Sequence, residues 1–202
     1  VARVTAVRRA TAADTEAVVV TITQAFEKDP AWQFIVDGQH PESSEHFARA
    51  LFRSRVDDGT VWVTDDVSAV AMWEFREHGA PVHSKTEAVW DDYRAAVGEH
   101  LWARLDAWED ALDASRPTPP YWYLGVLGTR PDSQGRGLAT AVMEPVLEMA
   151  DHEHFDCWLE TASEENLLFY ERRGFAHRLP VDVPTGPLTW WLRRAPAARV
   201  IR

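Results

Sequence analysis

The chain is short of cysteine, of positive charge and of long apolar runs, and each shortage closes off a class of function. Its 202 residues include one cysteine, Cys157. A single thiol excludes an internal disulfide and any cysteine-based zinc cluster. It sits in an apolar strand-like run, where a buried thiol behaves as a small hydrophobe. Lys and Arg number 21 against 32 Asp and Glu, a formal net charge of −11. Nucleic acid and anionic membranes both reward basic residues, so neither is an expected partner. No apolar run approaches the length of a bilayer span and no signal peptide is visible, so the expected location is the cytoplasm. The 8 histidines form no H-E-x-x-H or comparable pair, and no metal is expected. The phosphate-binding P-loop pattern G-x-x-x-x-G-K-S/T is also missing.

Tryptophan, by contrast, is abundant, at ten residues. Their scatter over every segment favours core positions for most of them, with an aromatic-lined pocket for a part. Hydrophobic residues at 46% and charged residues at 26% are globular values. The expected layout is one domain over 1–194 followed by a loose tail, 195–202, with no internal repeat.

Periodicity and punctuation place the elements. Val1 to Arg9 reads as a first strand, and Thr11 to Asp14 as a capping box opening a helix that runs to about Glu27. Lys28-Asp-Pro30 ends it, and Ala31 to Val36 is a short apolar run. Pro41 to Val56 is a second helix, with Phe47, Ala50, Leu51 and Ser54 on one face. Thr60 to Thr64 and Ser68 to Phe75 form a hairpin across Asp65-Asp66-Val67. Glu74, near its end, is either a solvated strand end or a carboxylate facing a ligand. In 77–120, Val89, Tyr93, Val97, Leu101, Leu105, Trp108 and Leu112 make an amphipathic helical stripe that Gly98 can break in two. This insertion is either a cover over a site or extra core packing.

The stretch from Tyr121 to Tyr170 organises the rest. Tyr121 to Gly128 is apolar nearly throughout, as a strand buried on both faces is. Gly125 and Gly128 weaken it unless the backbone bulges or something approaches it closely. Gln134-Gly-Arg-Gly-Leu-Ala139 leads into a helix, Thr140 to Ala150, which continues through Pro145. Gly135 and Gly137 can take positive φ, and unpaired N–H groups at a helix start favour phosphate. Arg136 can add a charge-assisted contact. The other reading is an ordinary strand–turn–helix connection. The spacing Gly135-x-Gly137-x-x-Thr140 lacks the last glycine of the dinucleotide fingerprint, which disfavours a nicotinamide or flavin enzyme. Phe155 to Glu160 is a further strand. Ser163 caps a helix over Glu164 to Arg173 that ends at Gly174, and Asn166 and Tyr170 share one face of it. Phe175 onward and Leu188 to Leu192 are two final strands.

Gln134-x-x-Gly137-x-Ala139 resembles the Q/R-x-x-G-x-G/A signature of the GCN5-related N-acetyltransferase (GNAT) superfamily. Asn166-x-x-x-Tyr170-x-x-x-Gly174-Phe175 resembles its second signature. Within the superfamily the chain is most similar to the puromycin N-acetyltransferases, at Val61-Trp-Val, Leu159-Glu-Thr-Ala-Ser163 and Pro184-x-Gly-Pro-x-Thr-Trp190 among other places. The departure is Ala139 in the place of the last glycine.

The resemblance implies an α/β fold with a mixed, mostly antiparallel sheet of six to seven strands flanked by helices and splayed between strands four and five. It implies acetyl-CoA as cofactor and a primary amine of a small molecule as acceptor, with a homodimer allowed. It places the cofactor on Leu127, Gly128 and Thr129, on the loop residues Gln134 to Ala139 (Gly135, Arg136, Gly137 and Leu138 included), on Thr140 and on Asn166. Trp32, Phe34, Glu74 and Trp122 become acceptor-pocket candidates. Tyr170 becomes the acid that protonates the leaving thiolate, since a phenol stays protonated at neutral pH. The general base is left open between Glu160, Glu74 and a chain of waters. Attack is direct, because no Ser–His or Cys–His pair is evident. Acetylation of protein amines and non-catalytic acyl-CoA binding are the alternatives.

Overall fold

The computed structural model describes residues 6–38, 41–78 and 87–197. The expected strand residues 1–5, the Gly79-Ala-Pro81 start of the insertion and the end of the tail, 198–202, lie outside them. The strands are β1 (Val7–Arg9), β2 (Val61–Thr64), β3 (Ala69–Arg76), β4 (Tyr121–Thr129), β5 (Asp156–Thr161), β6 (His177–Val181) and β7 (Thr189–Arg194). The helices are α1 (Thr15–Ala25), α2 (Pro30–Val36), α3 (Pro41–Arg53), α4 (Glu87–Asp113), α5 (Leu138–Glu153) and α6 (Glu164–Glu171). One seven-stranded sheet has the order β1-β2-β3-β4-β5-β7-β6. Every neighbouring pair is antiparallel except β4 and β5.

That one parallel pair is held briefly. Tyr121, Trp122 and Tyr123 pair with Asp156, Cys157 and Trp158, and pairing then stops. β4 stays bonded to β3 as far as Thr129, and β5 stays bonded to β7 as far as Thr161. The sheet therefore splits at its centre, with one half-sheet on each side of the gap.

The two glycines of β4 have separate reasons. Pairing with β3 shifts register between Met72 and Trp73, which face Val126 and Leu124, so Gly125 is the extra residue of a bulge. A bulge inverts the faces beyond it. Tyr121 and Tyr123 belong to the core on one side of the sheet, Trp122 and Leu124 to the core on the other, yet Val126 rejoins Tyr123. Gly128 in turn faces α1. A Cβ there would stand 3.0 Å from the Ile22 side chain and 3.1 Å from that of Ala25. The missing side chain lets α1 lie directly on β4.

α1, α2, α3 and α4 cover the first face, where Val18, Ile22, Trp32, Phe47, Phe52 and Leu112 are buried with Val63, Val70 and Met72 of the sheet. α5 and α6 cover the other, with Val142, Met143, Val146 and Leu167 against Ala71, Trp73 and Leu159. The insertion is one long helix interrupted at Gly98, whose φ of 77° and ψ of 173° are not helical. Glycine is the residue that reaches this conformation without steric cost.

Two local expectations are corrected. The Thr11–Asp14 capping box is present, with Asp14 accepting the Thr11 N–H at 2.8 Å, but it opens a 3₁₀ turn, Ala12–Asp14, and α1 itself starts at Thr15. Ser163 holds the N-cap position of α6 but its hydroxyl makes no cap bond; the Ser163 N–H is instead taken by Thr161 Oγ1 at 3.2 Å.

Gly128→Val is expected to push α1 off β4 and cost about 1–3 kcal/mol of stability, as overpacking of a tight contact does. Urea denaturation checks this, and the loss should shrink in an Ile22→Val background, which removes the methyl that the new side chain meets first.

Candidate active site

Two cavities flank the gap between β4 and β5 and meet within it. The first, of about 470 Å³, lies along the end of β4 and the start of α5. Its wall includes Leu127, Gly128 and Thr129 of β4, Gln134, Gly135 and Gly137 of the loop, and Leu138, Ala139 and Thr140 of the first turn of α5. Gly135 and Gly137 hold φ of 73° and 79°, which favour glycine. A Cβ at either would stand in open space, so the backbone there is bare to the cleft. α5 begins at Leu138, so Leu138 to Thr140 are its first turn and present N–H groups without helical partners. The Thr129 Oγ1 is buried without a hydrogen-bond partner. The Gln134 side-chain amide donates to the Thr129 carbonyl at 3.3 Å.

The charge in this cleft comes from Arg173. It is the one cationic side chain on the wall among the described residues. Its guanidinium donates through Nε to Thr140 Oγ1 at 2.9 Å and through Nη1 to the Phe169 carbonyl at 2.7 Å. It stacks on the Phe169 ring at 3.6 Å. Burial, followed by Arg172 nearby, lowers its pKa. It meets no carboxylate among the described residues, which is the setting in which an anionic ligand is favoured.

The second cavity, of about 380 Å³, is roofed by α4 and α2. Phe26, Trp32, Phe47, Trp90, Trp102 and Trp108 give it an aromatic lining. The rings are mutually packed: Phe26 to Trp32 at 5.0 Å, Trp32 to Phe47 at 4.8 Å. Tyr123 and Glu160 form its floor. The Tyr123 hydroxyl donates to Glu160 Oε1 at 2.8 Å, and Glu160 Oε2 is buried with no donor from another described residue. Burial raises the Glu160 carboxyl to about 7; the Tyr123 bond pulls it down and Glu109 of α4 pushes it up. Burial, then the Glu160 charge, also raises the Tyr123 phenol well above its ordinary value.

Phe26, Asp29, Leu127, Asn166 and Tyr170 line both cavities and so mark where they meet. Tyr170 is buried against Phe169 and Phe175, with ring centroids 5.2 and 6.0 Å away. Burial, then the negative charges of Asp29 and Glu160, push its phenol upward, so it is protonated at neutral pH.

The structure thus brings Tyr170, Glu160, Asn166, Trp32 and most of the loop residues to one region. Other candidates land elsewhere. Arg136 is exposed and off the cleft wall. Phe34 is off the cavity wall too, lying under the Arg104 guanidinium at 4.8 Å and beside Trp108 at 6.3 Å. Trp122 points to the opposite core, 5.1 Å from Phe75. Glu74 is also off the wall; its carboxylate pairs with Arg76 at 3.0 Å and Arg55 at 3.6 Å, and both arginines are on it. The sequence reading missed Tyr123, Asp29 and Arg173. Strand alternation beside Trp122 could have pointed to Tyr123, and a spacing of three from Tyr170 could have pointed to Arg173.

The sequence model described as Acetyltransferase (GNAT) family matches residues 30–175. An uncharacterized N-acetyltransferase of Schizosaccharomyces pombe is 21% identical over 195 residues, covering 86% of this chain and 75% of that one. Among solved structures, the polyamine N-acetyltransferase of Drosophila melanogaster superposes with a TM-score of 0.63 at 18% identity, covering 94% of this chain and 99% of that one. Arylalkylamine N-acetyltransferase 2 of Aedes aegypti gives 0.62 at 13% identity, with 96% and 100% covered. A Corynebacterium glutamicum protein described as histone acetyltransferase HPA2 and related acetyltransferase gives 0.57 at 21%, with 98% and 99% covered. At these identities the likeness to solved structures is one of fold.

Tyr123→Phe removes the one hydrogen bond from another side chain that favours ionised Glu160. Its expected effect is a further upward shift of the Glu160 pKa from about 7, read by carbon NMR of the labelled carboxyl through a pH titration.

Proposed function

Because the chain belongs to the acetyltransferase (GNAT) family, we propose that it moves the acetyl group of acetyl-CoA to the primary amine of a small molecule, by direct attack in a ternary complex. The observation that carries this reading is the meeting of a phosphate-suited cleft and an aromatic cavity at one protonated phenol, Tyr170. Acetyl-CoA supplies an acyl group already activated as a thioester.

The residues present fit that cofactor. The bare backbone at Gly135 and Gly137, the first turn of α5 and the Arg173 guanidinium suit its phosphates. Beyond Tyr123 no strand among the described residues pairs with β4 on its β5 side, so polar backbone near Leu127 and Thr129 is open to an amide-bearing arm. Asn166 lines the same channel. N–H donors preset around a developing oxyanion are worth about 3 kcal/mol each in comparable sites.

The acid and base follow from their surroundings. Tyr170 keeps its proton through neutral pH and gives it to the departing sulfur. Glu160 receives the proton that the amine loses. Since its Oε1 is held by Tyr123 and its Oε2 is shut away, that proton passes through the Tyr123 hydroxyl. A covalent route through a thiol is disfavoured: Cys157 is buried, and burial pushes its pKa up to about 12.

An aromatic cavity of this size under α4 fits an aryl-bearing amine, and puromycin or a similar antibiotic-like amine is the acceptor we have in view. The arylalkylamine enzyme of Aedes aegypti, alike in fold, is compatible with that choice. A polyamine or peptide amine is the second reading, favoured by Glu87, Asp91, Asp106 and Glu109 on the cavity wall.

Thiol release from acetyl-CoA, measured against puromycin, arylalkylamines, polyamines and a lysine peptide, tests the class. Turnover with aryl amines is expected, and turnover with the peptide alone would move the assignment to protein acceptors. Tyr170→Phe should lower kcat by about a hundredfold. With Glu160 as acceptor of the proton, log kcat/KM should fall as pH drops below about 7, because the protonated carboxyl cannot take another. Glu160→Gln should remove that limb. Arg173→Ala should weaken acetyl-CoA binding about tenfold by calorimetry, the loss of one charge-assisted contact, while amine KM stays level.

A further inference from the structure

We propose that Asp29 is the anchor for the acceptor's ammonium: its carboxylate pairs with the protonated amine where the two cavities meet, before the amine gives up a proton. This rests on the reading of the aromatic cavity as the acceptor site.

Of the residues that line both cavities, Asp29 is the one that carries a charge; the others are Phe26, Leu127, Asn166 and Tyr170. Its position is fixed. It is the N-cap of α2, where its Oδ1 accepts the Trp32 N–H at 3.0 Å, and Pro30 follows at the first helical position. No cation meets it among the described residues. Glu109 on the aromatic wall has Arg116, and Glu74 behind it has Arg76 and Arg55; Glu87, Asp91 and Asp106 line the aromatic cavity but not the cleft, so Asp29 is the carboxylate at the junction. Burial raises its pKa, and the amides of Trp32 and Ala31 offset that only in part. A half-buried carboxylate in this state gains from any cation that reaches it.

The surroundings suit an ammonium in particular. Phe26 and Trp32 lie on both sides of Asp29 in sequence and line the same cavity, their ring centroids 5.0 Å apart. Aromatic faces attract ammonium groups and repel carboxylates. Glu160 cannot perform this first contact, since Tyr123 holds one of its oxygens and the other is shut from solvent. The two carboxylates therefore divide the work: Asp29 holds the charged amine and Glu160 takes the proton it loses before attack, while the second proton, released as the amide forms, restores the Tyr170 phenol that has protonated the sulfur.

Capping does not require the charge, because Asn and Asp cap equally well. Asp29→Asn keeps the bond to the Trp32 N–H and removes only the charge; Asp29→Ser is a second capping variant should the first fail to fold. The probes are phenylethylammonium and 2-phenylethanol, which differ in the ammonium alone. Binding at pH 7 is read without acetyl-CoA, by quenching of the cavity tryptophans. The expected result is a preference for the ammonium of about tenfold in the unaltered chain, abolished in Asp29→Asn through loss of ammonium binding. The thermal midpoint and the acetyl-CoA affinity should stay unchanged, and Glu160→Gln should keep the preference. No preference in the unaltered chain, a preference that survives Asp29→Asn, or one that vanishes in Glu160→Gln instead would each overturn the assignment. Thiol release takes no part in this titration. A chain that discriminates the probes but releases no thiol would sink the acetyl-transfer reading and leave Asp29 standing.

Discussion

Three residue pairs hold β4 to β5, and the parting of the two strands after Tyr123 and Trp158 is the constraint on which the site depends. A sheet cannot leave polar backbone unpaired in its interior without a cost, so an opening of this kind has to be occupied or solvated. Here both halves keep their outer partners, β3 for β4 and β7 for β5, so each wall of the opening is hydrogen-bonded from behind. The cofactor cleft and the aromatic cavity are the two ends of that opening. Tyr170 reaches both because α6 follows directly on β5 and lies across the gap.

The bulge at Gly125 tunes the same strand. Without it, Val126 and Gly128 would face the α5 side of the sheet. With it, Gly128 turns under α1, and the end of α1 with Phe26 comes down onto the rim of the gap. The charges are sorted along the opening as well. Arg173 and the first turn of α5 stand at one end, Asp29 and Glu160 toward the other. The positive end thus lies where phosphates would go and the negative end where an amine would arrive. Among the described residues neither Arg173 nor Asp29 meets an opposite charge, which is what a site for charged ligands requires.

Much of the fold was legible in local patterns. Period-two and helical runs placed the β2–β3 hairpin, β4, α5, β5 and α6, and the two family signatures put Asn166, Tyr170 and the glycine loop on the wall of one cleft. The break at Gly98 was legible because glycine is the residue that can leave the helix there. The acceptor pocket was much less so. Trp122 and Tyr123 are neighbours in sequence and equally aromatic, but strand alternation sends them to opposite faces. Glu74 sits in a strand end that reads as open, yet Arg55, two residues beyond α3, and Arg76 from the same strand pair with it. Arg136, at an open position of the first signature, is exposed, while Arg173, at an open position of the second, brings its charge to the cleft.

What the sequence determined by itself was the set of elements, the glycine positions and the residue types that the chemistry needs, because these follow from backbone sterics and from spacing along one segment. What only the tertiary structure decided was which side chains share a cavity and which of them lack a partner. Trp32 and Trp90 come together across some sixty residues of chain, and Tyr123 meets Glu160 across the one parallel pair. Proximity of that kind depends on the order of strands, on a one-residue bulge and on how helices pack. That Asp29 and Arg173 meet no opposite charge among the described residues, and that the Glu160 pKa is raised, depends on burial by segments distant in the chain. Desolvation is set by everything that surrounds a group, and no local stretch of sequence contains that information.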